Sequence, residues 1–289
     1  LANVSDGDVE FVWDDAIDED FQYFSVYRDG VPLSNTVEPF FLDEEPGQEY
    51  YVTATDANGN ESDPSDTVTA GYSIDVTNLE DWNLVGLPLD VEDNNYLTIF
   101  PDAIENTLFS FDDAYLLDST LIQGEGYWLR FENSGTTMIM GIPICELTLF
   151  LNEGWNLISG PSDTVSIYYF SDPDSCIIQN TLFGFDNAYQ DTTILLPGHG
   201  YWLRASQDCD ISYSCEALAR MTMPEDYSLK GKANSLTVNG SDLYFGVELS
   251  DRERLSYSLP PKPPAGGFDV RFKDGWRAVK DYGVVEVMP

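Results

Sequence analysis

Three residue types in this chain are candidates for chemistry: one histidine, four cysteines and a large excess of acidic side chains. His199 lies between Gly198 and Gly200, which predicts a turn residue. A single histidine excludes Ser-His-Asp, Cys-His and multi-histidine metal mechanisms. Two carboxylates can hydrolyse a glycoside, and the 51 Asp and Glu residues leave such a pair open. No motif marks one, so we expect the chain not to be an enzyme.

The same acids make calcium the most credible metal ligand. Between residues 56 and 63 the sequence DANGNESD places oxygen-bearing side chains at alternate positions, as calcium loops do. The possible ligands are Asp56, Asn58, Asn60 and Asp63. The segment lacks the full EF-hand spacing and is also typical of a hairpin turn, so both interpretations stay open. We expect no other cofactor.

The cysteines are Cys145, Cys176, Cys209 and Cys215. An even number favours two disulfides, for which three pairings exist. We favour Cys145–Cys176 with Cys209–Cys215, because the second pair can close a local hairpin. A zinc site needs clustered ligands such as Cys-x-x-Cys, and the sequence contains none.

Charge divides the chain into three parts. Residues 1–72 hold 18 acids and 1 base, residues 73–215 hold 22 and 2, and residues 216–289 hold 11 and 10. The total of -38 makes nucleic acid an unlikely partner, because a polyanion is repelled. No apolar run is long enough for a membrane span, and the absence of a signal stretch at Leu1 suggests a mature chain or a fragment. The charge pattern predicts three domains, 1–72, 73–215 and 216–289.

The first of these is predicted to be an all-β sandwich, from alternating apolar residues and turns such as Asp29-Gly30. Residues 46–56 (PGQEYYVTATD) and 59–62 (GNES) resemble the fibronectin type III family. That resemblance implies a fold and a secreted setting, with Tyr50 or Tyr51 closing the corner of the sandwich. It implies no activity.

A duplication organises the second domain. Residues 106–115 recur as 180–189 with eight of ten positions identical, and 126–130 (GYWLR) recur as 200–204. Trp82-Asn83-Leu84 recurs as Trp155-Asn156-Leu157. The repeats span about 79–142 and 153–214, and each is predicted to be a small β module with one short helix, near 96–100 and 167–170.

The repeated Gly-x-Gly-Tyr-Trp-Leu-Arg motif predicts a tight turn followed by a strand. Its glycines supply a positive φ or allow a close approach, and the alternation places Tyr and Leu on one face and Trp and Arg on the other. Arg130 and Arg204 are each expected to pair with a carboxylate. The aromatic residues are either core or a ligand platform. The platform would consist of Trp128, Trp202, Tyr127 and Tyr201.

Paired Trp-Asn-Leu and Gly-Tyr-Trp-Leu modules, joined by a segment like 141–149 (GIPICELTL), resemble repeats near the C-terminal ends of large secreted multidomain proteins of Gram-negative bacteria. Those proteins often carry fibronectin type III domains upstream and a type IX-like sorting region at the end. The resemblance implies an extracellular or cell-surface, accessory and non-catalytic module.

The third part is another β pattern, with a hairpin around Asn239-Gly240 and strands near 268–272 and 284–289. Residues 259–267 (LPPKPPAGG) form a stiff polyproline-like connection; an SH3-type ligand is the alternative. Either this part is an incomplete sandwich, or its open sheet edge is paired by another chain, which would give homo-oligomers.

The sequence therefore predicts an all-β protein: a fibronectin type III-like sandwich, a duplicated small β domain and a C-terminal β segment. Its expected role is structural or in attachment at the cell surface, with a cell-surface protein or a polysaccharide as possible partner. The alternatives are a carbohydrate-binding accessory module that uses surface aromatics, and a subunit of a self-assembling surface filament.

Overall fold

The structure, a computed structural model, describes residues 2–5, 8–16, 18–43, 49–69, 72–214, 229, 231–281 and 283–288. Almost all regular structure in these residues is β, in antiparallel sheets with two short α-helices, so the predicted all-β class is confirmed. Two compact units are present. The first is Leu1–Ser73 with Met140–Ile142, and the second is Ile74–Ile139 with Pro143–Pro289.

Seven strands lie wholly within the first unit in the residues that the structure describes. They are β1 (Ala2–Ser5), β2 (Asp8–Val12), β3 (Phe21–Arg28), β4 (Val31–Thr36), β5 (Phe40–Asp43), β6 (Glu49–Asp56) and β7 (Val68–Thr69). They form two sheets with strand orders β1-β2-β5 and β4-β3-β6-β7. Phe11 and Tyr50 form the buried centre between partly buried Trp13, Leu33 and Phe41, which gives the unit a small aromatic core.

One buried carboxylate joins the two sheets of this unit. Asp43 Oδ2 on β5 accepts hydrogen bonds from Tyr50 Oη at 2.7 Å and from Arg28 Nη1 at 3.0 Å. Tyr50 lies on strand β6 of the second sheet and is 2% exposed. Burying a carboxylate is costly unless it is paired and hydrogen-bonded. The contacts of Asp43 with Tyr50 and Arg28 meet this need and connect β5 to the second sheet.

The first repeat follows directly. Its elements are β8 (Tyr72–Asn78), β9 (Asp81–Gly86), β10 (Leu89–Asp90), α1 (Tyr96–Ile99), β11 (Phe109–Asp112), β12 (Ala114–Leu117), β13 (Gly126–Phe131) and β14 (Gly135–Pro143). The second repeat has β15 (Glu146–Leu151), β16 (Gly154–Ser159), β17 (Val165–Ser166), a 3₁₀ turn (Ile167–Tyr169), β18 (Phe183–Phe185), β19 (Tyr189–Asp191), β20 (Ile194–Leu195), β21 (Gly200–Ala205) and β22 (Cys209–Ser214). Both predicted short helices are present.

The two repeats have the same central sheet. The strand orders are β12-β11-β13-β9 in the first and β19-β18-β21-β16 in the second. The registers agree as well, because Phe109 pairs with Trp128 and Phe183 pairs with Trp202. Identical residues at a fixed spacing thus produce the same fold twice.

The C-terminal segment contains β23 (Asn234–Val238), β24 (Ser241–Phe245), α2 (Asp251–Leu255), β25 (Asp269–Phe272), β26 (Ala278–Val279) and β27 (Val285–Met288). The predicted hairpin turn is present, with Asn239 and Gly240 at φ 47° and 84°. Helix α2 was not predicted, although Ser250 and Glu253 form the capping box that begins it. The chain passes from the first compact unit to the second after Ser73, and residues 143–289 belong to the second unit.

Candidate functional site

The two repeats meet at a reciprocal joint made by their Gly-x-Gly turns. Gly86 N donates to Gly198 O at 3.0 Å, and the equivalent Ser159 N donates to Gly124 O at 2.8 Å. Gly124 and Gly198 have φ values of 84° and 78°, which residues other than glycine rarely adopt. Each turn therefore needs its first glycine for its own shape and binds the other repeat through its backbone.

The second glycine of each turn lies against the backbone of the other repeat. A Cβ built on Gly126 would be 2.4 Å from Ile158 O, and one built on Gly200 would be 2.7 Å from Val85 O. Ile158 and Val85 occupy equivalent positions in the two repeats. Both functions predicted for the motif's glycines, a positive φ and a close approach, are present.

The predicted ligand platform is buried. Trp128, Trp202 and Tyr127 are 0% exposed, and Tyr201 is 5% exposed. The platform prediction is wrong for these four side chains, because a ligand in solvent cannot stack on a ring without exposed area. The alternative, that they are core residues, is the correct one.

Each motif tryptophan packs on the other repeat. The Trp128 and Phe185 ring centroids are 4.8 Å apart, and those of Trp202 and Phe111 are also 4.8 Å apart, both edge to face. Such pairs stabilise a core beyond the area they bury. The tryptophans therefore join the repeats, as the reciprocal glycine contacts do.

The asparagine of the Trp-Asn-Leu motif closes a turn. Asn83 Oδ1 accepts from Leu79 N at 2.9 Å, and its Nδ2 donates to Leu79 O at 2.8 Å. Asn156 makes the same pair of bonds with Asn152 in the second repeat. No role was predicted for this asparagine. Its recurrence in both repeats was the sequence signal that could have indicated one.

The two motif arginines have different partners. Arg130 Nε lies 2.5 Å from the half-exposed carboxylate of Asp81, as predicted. Arg204 Nη1 donates instead to the hydroxyl of Ser258 at 2.6 Å, in the C-terminal segment. The second repeat thus uses its arginine to hold the segment that follows it.

The proline-rich residues 259–265, called the strap below, lie on the aromatic centre of the repeats. Leu259 packs in that centre with Trp82, Trp155 and Phe183. The prediction of a connection between strands is correct in part, because the strap links α2 to β25. It is also a polyproline-like ligand of its own chain, since its carbonyl groups are bound by side chains of the repeats.

Donors from both repeats bind the strap. Tyr189 Oη donates to Pro261 O at 2.7 Å, Tyr115 Oη donates to Lys262 O at 2.6 Å, and Trp82 Nε1 donates to Ala265 O at 3.2 Å. We call Trp82, Tyr115 and Tyr189 the cradle. Burial raises the pKa of Tyr115 to about 12 and that of Tyr189 well above its usual 10.

Alkaline pH is expected to unfold the protein through these tyrosines. Their folded pKa lies above the unfolded value of 10, so stability is full below pH 10 and falls as the pH rises. For Tyr115, a pKa near 12 corresponds to a loss of about 2 to 3 kcal/mol by pH 12. Urea unfolding between pH 8 and pH 12 measures it, and Tyr115→Phe should show a shallower decline. Parallel declines for both proteins would contradict this assignment.

His199 was predicted to be a turn residue, and it lies directly after the second repeat's turn. Its backbone forms a β-bridge with Val85 of the first repeat, and its N donates to Leu196 O at 3.3 Å. Burial lowers the pKa of His199, so the imidazole is neutral at pH 7. The equivalent residue of the first repeat is Glu125, which makes this one of the places where the repeats differ.

The possible calcium loop uses its carboxylate internally. Asp56 Oδ1 accepts from Asn58 N and Asn60 N, both at 2.8 Å, and Asp56 Oδ2 accepts from Asn60 Nδ2 at 2.7 Å. Asp63 accepts through its backbone oxygen from Ser62 Oγ. Among the described residues, no three His, Cys, Asp or Glu side chains are grouped to hold a metal ion. The contacts favour the hairpin turn over the calcium loop.

The disulfide pairing differs from the prediction. Cys176 is bonded to Cys209, with a Cα–Cα distance of 6.5 Å. Cys145 is also disulfide-bonded, and Cys215 lies outside the described residues. The predicted Cys145–Cys176 and Cys209–Cys215 pairs are therefore wrong. The cause is that Cys209 begins the extended strand β22, whereas the prediction assumed a hairpin there.

A groove of about 530 Å³ lies between the repeats on the side of His199. Leu79, Phe185 and Tyr201 contribute apolar surface to it, and Asp186 contributes its only acidic side chain among the described lining residues. No Lys or Arg is among the described residues of this lining. This size is typical of small-molecule sites, and the lining suits an uncharged ligand better than an anion.

The groove is also where the repeats diverge. His199 and Thr192 line it, and the equivalent residues of the first repeat are Glu125 and Asp118. Two carboxylates of one repeat are thus replaced by uncharged side chains in the other. The two repeats therefore contribute equivalent contacts to the joint, but they differ in charge at the positions that line the groove.

Comparison with protein-family models, with curated proteins and with solved structures gave no match. In the part of the chain that the structure describes, no helix has the length and apolar character needed to cross a bilayer.

Proposed function

We propose that the chain is a non-catalytic structural or attachment module of a secreted multidomain bacterial protein, at the cell surface or outside the cell. The burial of Trp128 and Trp202 carries this proposal. These repeated residues join the two repeats, and the repeated glycines form the same joint. Residues that recur for packing are typical of a rigid spacer.

Two further observations support the resemblances behind this proposal. The sheet orders β1-β2-β5 and β4-β3-β6-β7 suit a fibronectin type III-like sandwich, in which buried Tyr50 takes the corner position. The Cys176–Cys209 disulfide favours an oxidising compartment, as expected for a secreted chain.

A second candidate is a carbohydrate-binding module, which the groove beside His199 favours. Its lining combines the half-buried ring of Phe185 with the amide of Gln190 and the neutral imidazole. An apolar surface with a few hydrogen-bonding groups is what an uncharged sugar needs. This site replaces the buried tryptophan platform.

Co-sedimentation with insoluble polysaccharides such as cellulose and chitin separates the two functions. The structural module is expected to stay in the supernatant, both as wild type and as His199→Glu, which copies the first repeat. Asp102→Asn, which does not line this groove, is the matched control. Sedimentation of wild type and the control, but not of His199→Glu, would overturn the structural proposal in favour of the binding module.

A further inference from the structure

The strap is poor in backbone hydrogen-bond donors. Four of its seven residues, Pro260, Pro261, Pro263 and Pro264, have no backbone N–H. Such a segment cannot make a full strand ladder and offers carbonyl oxygens instead. The structure meets that limitation with side-chain donors, which contact the carbonyls of Pro260, Pro261, Lys262 and Ala265.

The cradle has the chemistry of a polyproline-recognition surface. Its rings belong to the same apolar cluster as Leu259 of the strap, and its three donors bind carbonyls of one segment. Aromatic grooves that bind proline-rich segments between separate proteins use the same two features. Tyr115 and Tyr189 are equivalent positions of the two repeats, so the duplication itself creates the paired donors.

Asp269 and Arg271 brace the strap from the other side. Arg271 Nη1 donates to Pro260 O at 2.8 Å, and its Nε lies 2.6 Å from Asp269 Oδ2. Both side chains are almost fully buried. Because this brace belongs to the C-terminal segment, strap and brace can move together as one piece.

We propose that the cradle also binds the strap of a second copy of this chain, so that two copies are linked by exchange of their C-terminal segments. The contacts within one chain and between two are the same, so only the local concentration decides which forms. A tethered segment acts at an effective concentration of about millimolar. Exchange is therefore populated where copies are crowded, as on a surface.

Charge favours the C-terminal segment as the exchanged part. Residues 73–215 carry 22 acids against 2 bases and repel their counterpart in another copy, whereas residues 216–289 carry 11 against 10. Arg277 Nη2 of that segment already lies 2.8 Å from Asp191 of the second repeat. The near-neutral segment can approach the acidic repeats of another copy with less repulsion.

A complementation experiment tests the exchange. One variant loses the cradle hydroxyls (Tyr115→Phe with Tyr189→Phe), and the other loses strap rigidity (Pro260→Gly with Pro261→Gly). Each alone at about 100 µM, well below the effective concentration, should run as a monomer in size exclusion with light scattering. An equal mixture should give a species of twice the mass, because one variant supplies an intact strap and the other an intact cradle. A mixture that stays monomeric, with both variants folded by circular dichroism, overturns the proposal.

A second measurement uses the wild-type chain, so it tests the proposal even if the variants do not fold. A peptide of residues 259–267 is added to the wild-type chain at up to about 10 mM, above the effective concentration of the tethered strap. With an isotope-labelled peptide, filtered NOEs between the peptide and the Trp82 ring should appear, and a labelled peptide with alanine at the four prolines should give none. No such NOEs with the native peptide, or equal NOEs with both peptides, would overturn the proposal.

Discussion

Gly126→Ala and Gly200→Ala are each expected to lower the free energy of unfolding by about 3 kcal/mol. The added methyl groups would lie 2.4 Å from Ile158 O and 2.7 Å from Val85 O. These neighbours are backbone atoms of paired strands, so they cannot rotate away as a side chain can. The strain falls on the joint between the repeats and should loosen both together.

Urea unfolding monitored by tryptophan fluorescence measures this effect, because Trp128 and Trp202 lie in the joint. Gly184→Ser is the matched control. Its Cβ would be 3.4 Å from Tyr201 Cε1, an ordinary contact, and the first repeat has Ser110 at that position. We expect the control to change stability by less than about 0.5 kcal/mol. Equal midpoints for Gly126→Ala and Gly184→Ser would show that the repeats do not approach so closely.

Removing the Cys176–Cys209 disulfide is expected to cost about 3 to 4 kcal/mol. The bond joins residues 33 apart in sequence and restricts the unfolded chain accordingly. Cys176 is fully buried and lies in the core of the second repeat. A double replacement by alanine preserves the apolar character of the site and removes the cross-link.

Urea unfolding of the double variant and of wild type measures the loss in free energy of unfolding. Peptide mapping without reductant identifies which cysteines are bonded. Mapping should recover a peptide that links Cys176 with Cys209. A peptide linking Cys209 with Cys215 would contradict the structure, as would an unchanged unfolding midpoint. Residues 209 and 214 are the ends of a six-residue strand, about 16 Å apart at the rise of an extended chain, which is far beyond disulfide reach.

Local patterns predicted the local structure well. The all-β class, the duplication, both short helices and the Asn239-Gly240 turn all follow from residue spacing and turn chemistry, which act over a few positions. The glycines of the Gly-x-Gly turns were also predicted correctly in kind. Their partners, Ile158 and Val85, could not be predicted. A glycine indicates that something approaches its backbone closely, but only the packing of the two repeats shows which residue does so.

The ligand-platform prediction was wrong because it depends on which part of the chain covers each face of a strand. Alternation places Trp202 opposite Tyr201 and Leu203 on β21, and the structure agrees, but both faces of that strand are buried. A lone sheet would have exposed one face, and the platform hypothesis assumed this. The second repeat's sheet is covered by the first repeat, which no periodicity within β21 can reveal.

The sequence by itself determined the β fold of each repeat, their equivalence and the acidity of the chain, because these depend on composition and on neighbours along the chain. Only the tertiary structure decided that the tryptophans are core, that Cys176 meets Cys209, and that the proline-rich strap is bound by tyrosines of both repeats. Those outcomes depend on contacts between residues far apart in sequence. Their geometry is determined when the two repeats and the C-terminal segment pack as one body.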